Sequence, residues 1–194
     1  MDPVTLGRTL GFAFAAGVNL YATVAILGLA ARYDWVELPA QYNIFNNDVV
    51  IGVAIALYLI EFFADKIPYV DTLWDMIHTV IRPVGGALIA VATLGDVSPT
   101  VEGLVALLGG VVAAGSHLTK TSTRAMANAS PEPFSNWILS VGEDLLVVGL
   151  GFLALKYPIA ALIVAVILLG FVAVFAAVIV RTVRRWFARR AVAT

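Results

Sequence analysis

The run from Ile159 to Val180 contains no charged or polar side chain. As a helix it satisfies its own backbone hydrogen bonds, and it reaches the roughly 20 residues that a bilayer crossing takes. Other apolar stretches precede it, at about 5–31, 49–64, 70–94, from 101 onward, and 134–155. The chain of 194 residues is 61% hydrophobic and only 13% charged, with a mean hydropathy of +0.94. Soluble domains carry about 25% charged residues, so water is a poor solvent for this surface. The expected fold is an all-α membrane protein of about six transmembrane helices, with residues 1–194 forming a single transmembrane domain. No extramembrane domain fits within the length.

Prolines and polar clusters punctuate the spans. The segment 32–48 reads as a polar loop, with Tyr33, Trp35 and Tyr42 as interface anchors. Pro68, Pro99, the Asn128–Pro133 segment and Lys156-Tyr157-Pro158 read as turns. Met1 to Gly7 lacks a basic n-region, so the first stretch is expected to stay as a span. Six spans would put both termini on one side. Arg181, Arg184, Arg185, Arg189 and Arg190 mark that side as cytoplasmic by the positive-inside rule. Arg8, Lys66, Lys120 and Arg124 then fall inside. Asp34, Glu37, Asp48, Asp96 and Glu102 fall outside. The expected location is the inner membrane of a bacterial cell.

The two halves resemble each other weakly. Ala15-Ala16-Gly17-Val18-Asn19 aligns with Ala113-Ala114-Gly115-Ser116-His117, and the next span of each half carries acidic residues, Glu61 and Asp65 or Glu143 and Asp144. This suggests an inverted three-plus-three repeat, 5–94 and 101–181, with the first and fourth helices interrupted near Gly17 and Gly115. Such architectures place a site where the repeats meet. Chance similarity of Ala/Gly-rich helices is the competing explanation, and close helix packing is the competing role for the two glycines.

Charge in lipid costs about 2.5–3.5 kcal/mol per residue at a helix centre on insertion scales. Asp71, Asp75, His78 and Arg82 share one narrow face of span three, so that face must meet protein or water. Glu61 and Asp65 lie one turn apart. Asn136, Ser140, Glu143 and Asp144 fall on one side of span five, with Glu143-Asp144 deep in an apolar helix. The candidate solute or ion pathway is therefore Asn19, Glu61, Asp65, Asp71, Asp75, His78, Arg82, His117, Thr121, Asn136, Glu143 and Asp144. Each group also has a plainer reading. Asp71 suits a helix N-terminus. Lys66, Lys120 and Arg124 suit topology anchors. Asp75, His78 and Arg82 suit a structural ion-pair ladder, and Glu143 and Asp144 suit pairing with cations of spans three or four.

No nucleophile elbow, phosphate-binding glycine loop or zinc-protease motif is present, so no enzymatic activity and no cofactor are expected. The absence of cysteine removes thiolate metal sites. Two well-separated histidines argue against zinc. Carboxylates with Asn and Thr suit a hard cation, a proton or an amine. The expected function is a small transporter or exporter of a cation or polar solute, with proton coupling as one form of it. The alternative is a membrane scaffold or lipid-handling protein, with Arg184, Arg185, Arg189 and Arg190 meeting lipid headgroups. The expected partners are the bilayer and a small solute or cation, with a homodimer allowed by the chain's small size and no nucleic acid.

Several motifs carry a family resemblance. They are Glu61-Phe62-Phe63-Ala64-Asp65-Lys66-Ile67-Pro68, Val70-Asp71-Thr72-Leu73-Trp74-Asp75, His78 with Ile81-Arg82-Pro83, and Ser130-Pro131-Glu132-Pro133-Phe134-Ser135-Asn136 with Ser140 and Glu143-Asp144. The chain resembles the bacterial membrane-protein family known as domain of unknown function 4126, a resemblance that implies a membrane fold and no activity. The Glu-x-x-x-Asp-Lys pattern is more distantly similar to the lysine exporters and related cation exchangers. Those carry Glu-x-Gly-Asp-Lys-Thr or Gly-Pro-Asn, whereas here Glu61 and Asp65 are one residue further apart and Gly17-Val18-Asn19 lacks the proline.

Overall fold

Asn19 divides the first apolar stretch. The computed structural model describes residues 1–36, 38–95, 97–129 and 134–191, and all its secondary structure there is helical. Helix α1 (Pro3–Val18) ends where Asn19 takes an extended conformation, φ −149° and ψ 101°. Helix α2 (Leu20–Arg32) starts at once, with the Asn19 side chain accepting from Ala22 N at 2.9 Å. One residue thus closes one helix and caps the next. A 3-10 turn (Ala40–Phe45) follows, burying Tyr42 and Phe45, then α3 (Asp48–Ala64), α4 (Pro68–Ala92), α5 (Pro99–Asn128), α6 (Phe134–Lys156) and α7 (Pro158–Ala191). Four helices are long and apolar enough to cross a membrane: Tyr69–Ala92, Pro99–Asn128, Phe134–Lys156 and Pro158–Arg185. The chain is therefore an all-helical, multi-pass membrane protein by length and composition.

The break at Asn19 reverses the chain. A Cβ on Gly7 would strike the Pro158 backbone at the start of α7, and one on Gly11 would lie 3.1 Å from Ala154, near the end of α6. Asn19 reaches Asp144, in the middle of α6, at 3.5 Å. Helix α1 therefore descends antiparallel to α6. Helix α2 climbs back: a Cβ on Gly151 would sit 3.3 Å from Ile26, and one on Gly28 would lie 2.9 Å from Phe45 O. Arg32, at its end, pairs with Asp48 at the start of α3 and donates to Asn46 at 3.2 Å. So α1 and α2 form a hairpin with both ends at one end of the bundle and its tip inside.

This corrects the single span expected over 5–31. The chain's first residues lie beside the α6–α7 turn, and α7 runs away from that turn. The start of α1 and the far end of α7 consequently lie at opposite ends of the bundle. The interruption expected in the first helix falls at Asn19, and the one expected in the fourth is absent. Helix α5 runs unbroken through Gly115, and its charges find partners on other helices. Tyr42 is no interface anchor: it is 0% exposed and packs edge-on against Phe12, while Tyr33 and Trp35 are exposed. Glu37, Asp96, the motif residues Ser130 to Pro133 and the tail beyond 191 lie outside the described residues.

Glycines set the closest approaches. Gly86 of α4 and Gly109 of α5 face each other so tightly that a Cβ on Gly109 would lie 2.8 Å from Gly86 O. A Cβ on Gly17 would overlap the backbone of Ala113 and the Ser116 hydroxyl. These contacts pull the α1–α2 tip against α5 and bring the first half of α5 alongside α4.

Candidate functional site

The carbonyls at the end of α1 have no intrahelical partners, as at every helix C-terminus, and carry partial negative charge. Two cations meet them. Arg82 of α4 donates to Gly17 O at 3.3 Å, and Lys120 of α5 donates to Val18 O at 3.3 Å. The hairpin tip thus supplies backbone acceptors to the centre of a charged network, as broken helices do in transporters.

Arg82 is 0% exposed and extends the network. It donates to Glu61 Oε1 at 2.8 Å, meets His117 Nδ1 at 2.7 Å, and lies 3.4 Å from Asp75 Oδ1. Lys120 lies 3.3 Å from Glu61, 3.1 Å from Asp65 and 3.3 Å from Glu143. Arg124 binds Asp65 Oδ2 at 2.9 Å, Asp65 O at 2.8 Å and Asp71 at 3.0 Å, and closes on Glu143 through Nε and a shorter second contact. The guanidinium fork suits this multidentate role better than an ammonium would.

Helical register explains the meeting. Glu61 and Asp65 sit at the end of α3 and the turn after it. Asp71, Asp75, His78 and Arg82 recur every three or four residues along α4, and all four are at most 4% exposed. His117, Lys120 and Arg124 do the same along α5. The face of α4 opposite its charges is lipid-like: Leu73, Ile77 and Val80 are each at least 60% exposed.

Seven of the twelve predicted pathway residues join this assembly directly, namely Glu61, Asp65, Asp71, Asp75, Arg82, His117 and Glu143, while Asn19 and Asp144 meet each other beside it at 3.5 Å. His117 bridges Arg82 and Thr79, the latter at 3.2 Å. His78 bonds Trp74 O at 2.6 Å and the Tyr21 hydroxyl at 2.9 Å, with its ring stacked on Trp74 at 4.7 Å. Asn136 is connected at one remove, donating to Asn128 at 2.6 Å, which donates to Asp71 at 3.4 Å. Thr121 does not join: its hydroxyl returns to Leu118 O at 3.1 Å. Lys120 and Arg124, expected as topology anchors, are instead the buried centre, at 5% and 1% exposure. Their spacing from Ser116 at successive helical turns was the signal. Arg184 and Arg185 are exposed on α7, and the side chains of Arg189 and Arg190 lie outside the described residues.

Two cavities flank the network. One, of about 330 Å³, lies between α4 and α5 and is polar, lined by Asp71, Asp75, Thr79, Ser122, Arg124 and Asn128 among others. The other, of about 490 Å³, lies between α5, α6 and α7, and touches the network at Lys120 and Glu143. No group of three or more His, Asp or Glu side chains among the described residues is arranged to hold a metal ion.

The family described as Domain of unknown function (DUF4126) matches residues 6–178. The chain belongs to that family. Its match covers the hairpin, the whole charged network and both cavities. No curated protein and no solved structure matches the chain. The expected similarity to the lysine exporters is not among these matches.

Proposed function

We propose that the chain is a small membrane transporter of a cation or cationic solute, coupled to protons, with Asp75, Glu143 and Asp144 as its binding carboxylates. One observation carries this reading. Among the described residues, five carboxylates (Glu61, Asp65, Asp71, Asp75 and Glu143) form ion pairs with only three buried cations, Arg82, Lys120 and Arg124. Asp144 adjoins them. Buried oxygens of Glu61, Asp65, Asp75 and Asp144 accept no hydrogen bond. Excess negative charge in a low-dielectric interior is costly and calls for protons or a cation. A structural ladder needs no such excess.

The hairpin sharpens the topology of this reading. Counted as a re-entrant element, it leaves α4 to α7, which are long and apolar enough to cross, and the 17-residue α3 as a proposed fifth crossing. The exposed Arg184 and Arg185 favour a cytoplasmic α7 end and an outer N-terminus in a bacterial inner membrane. Residues 5–94 and 101–181 remain the candidate inverted repeat, and the two aligned motifs meet at Arg82 through Gly17 O and His117. The alternative reading, a lipid-handling or scaffold protein, draws on the exposed arginines of α7.

The test is thermal stability of detergent-purified protein across pH, inorganic cations and small amines, beside Asp75→Asn. A ligand that binds only the folded state must stabilise it, by about 2.7 kcal/mol at 100 times its Kd. The expected result is a shift by one cation class that Asp75→Asn abolishes. No shift anywhere, with Asp75→Asn at least as stable as the parent, would overturn the proposal.

A further inference from the structure

The polar cavity between α4 and α5 offers mostly hydrogen-bond acceptors. Every N–H of Arg124 on its wall is directed elsewhere, to Glu143, to Asp65 O and Oδ2, and to Asp71. Thr121 donates its hydroxyl to Leu118 O at 3.1 Å, and Thr79 donates to Asp75 O at 3.0 Å. Arg82 can only donate, so His117 accepts from it through Nδ1 and carries its own proton on Nε2. That proton points to the Thr79 oxygen at 3.2 Å. Both threonine hydroxyls can therefore only accept from whatever fills the cavity.

Asp75 supplies the charge. It is 4% exposed, it lines the cavity, and its Oδ1 accepts no hydrogen bond. Arg82 lies 3.4 Å from that oxygen, but its Nη1 hydrogens go to Gly17 O at 3.3 Å and His117 at 2.7 Å, and its Nη2 donates to Glu61. The contact is the longest of the buried ion pairs and carries no hydrogen bond. Glu143, by contrast, is held through both oxygens by Arg124, and Asp71 by Arg124 and Asn128. On this wall Asp75 is the carboxylate with accepting capacity left.

Ligand count and volume narrow the cation. A bare metal ion needs several convergent charged oxygens or imidazoles, and among the described residues no group of three or more is so arranged. A quaternary ammonium has no N–H to offer the acceptors. A primary ammonium has three donors, which match one carboxylate and two hydroxyls. The volume of about 330 Å³ lies at the low end of small-molecule pockets, which run about 300–1,000 Å³. Met76 and Ala125 on the same walls give a short carbon body an apolar surface.

We propose that this cavity binds a small primary amine as its ammonium, donating to Asp75 and to the hydroxyls of Thr79 and Thr121. This deepens the transport reading and rests on it, since it names the solute class for Asp75. It also gives a role to Thr121, which stays outside the ion pairs.

Isothermal titration calorimetry of the protein in maltoside detergent compares three chloride salts, with empty micelles as the blank. They are propylammonium, tetramethylammonium with the same charge and no N–H, and potassium. The expected result is saturable binding of propylammonium, binding of the other two weaker by about tenfold or more, and a loss of about tenfold or more in Asp75→Asn, as removal of a charge-assisted hydrogen bond implies. Thr121→Val keeps the shape and every ion pair and removes one acceptor. It should weaken propylammonium by about threefold or more at an unchanged thermal midpoint, so the test stands even if Asp75→Asn fails to fold. Tetramethylammonium binding as tightly as propylammonium would overturn the inference. So would unaltered affinity in Thr121→Val, or no saturable heat with any salt, the result of a cavity that holds water alone. Potassium binding as tightly as propylammonium, and lost in Asp75→Asn, would overturn the amine and leave the broader transport reading standing.

Discussion

The first half of α5 and its second half are held by opposite means. From Val105 to Ala113 the buried residues are Val105, Gly109, Val112 and Ala113, and contact with α4 and α1 depends on missing side chains. From Ser116 to Arg124 the buried residues are Ser116, His117, Lys120 and Arg124. Each of these needs a partner on another helix. In lipid, apolar association has little hydrophobic drive, so close van der Waals contact has to hold the first half. Charge pairing holds the second half, and its balance can change when a proton or a solute arrives. The first half is suited to fixing the helices, the second to responding.

The sharpest way to break that contrast is to remove a cation from the second half. Arg124→Ala would leave Asp65, Asp71 and Glu143 short of their shared partner. Breaking a buried pair in this way costs about 3–5 kcal/mol. We expect loss of the folded protein, or a fall in thermal midpoint larger than that from any single apolar truncation. Arg124→Lys should recover part of it, because an ammonium restores the charge without the fork. Full stability of Arg124→Ala in a thermal melt would mean that the network is hydrated and not held by its ion pairs.

The second test acts on close approach. Gly17→Ala places a methyl into the Ala113 backbone, and only a shift of α1 or α5 can relieve it. Overpacking of this kind costs about 1–3 kcal/mol. The displacement should also lengthen the contacts of Arg82 and Lys120 with the α1 carbonyls. The expected readout is a lower thermal midpoint together with weaker cation stabilisation. A lowered midpoint with undiminished cation response would separate the two halves completely, and the hairpin tip would then be scaffold only.

How much of this was legible in the sequence follows from the same contrast. The charged face of α4 could be read from helical period, since Asp71, Asp75, His78 and Arg82 can share a face only one way. The membrane character followed from composition. Lys120 and Arg124 were misread because a basic residue near a span end has two good solutions, snorkelling to the interface or pairing in the interior. Only the carboxylates of α3, α4 and α6 decide between them, and those are distant in sequence. The hairpin was hidden for a similar reason. Asn19 marks an interruption, but the apolar stretch on each side reads the same whether the chain continues or turns back. The direction is set by tertiary contacts at Gly7, Gly28 and Arg32. Tyr42 was misplaced because an aromatic in a polar loop resembles an interface anchor until Phe12 is brought beneath it.

The smallest effect is expected at the far end of the same arm of the hairpin, where Asp2 is exposed. Asp2 caps α1, accepting from Val4 N at 2.9 Å, Thr5 N at 3.0 Å and the Thr5 hydroxyl at 2.7 Å. The Thr5 backbone bond, followed by its hydroxyl, lowers the carboxyl from its ordinary 3.8 to about 2. A carboxyl depressed on folding favours the folded state above its unfolded pKa, and that advantage disappears as pH falls through the folded one. The cap should therefore hold at neutral pH and fade between about 4 and 2. We expect Asp2→Ala to raise amide exchange at Val4 and Thr5 near neutral pH with little change in the thermal midpoint, and the difference from the parent to shrink as pH falls below 4. Asp2→Asn keeps a good cap without a charge, so its exchange should show no such pH dependence. If Asp2→Ala instead lowered the midpoint as much as Gly17→Ala, fraying at the mouth of the hairpin would reach its tip, and α1 would act as one rigid lever between the water-exposed end and the charged network.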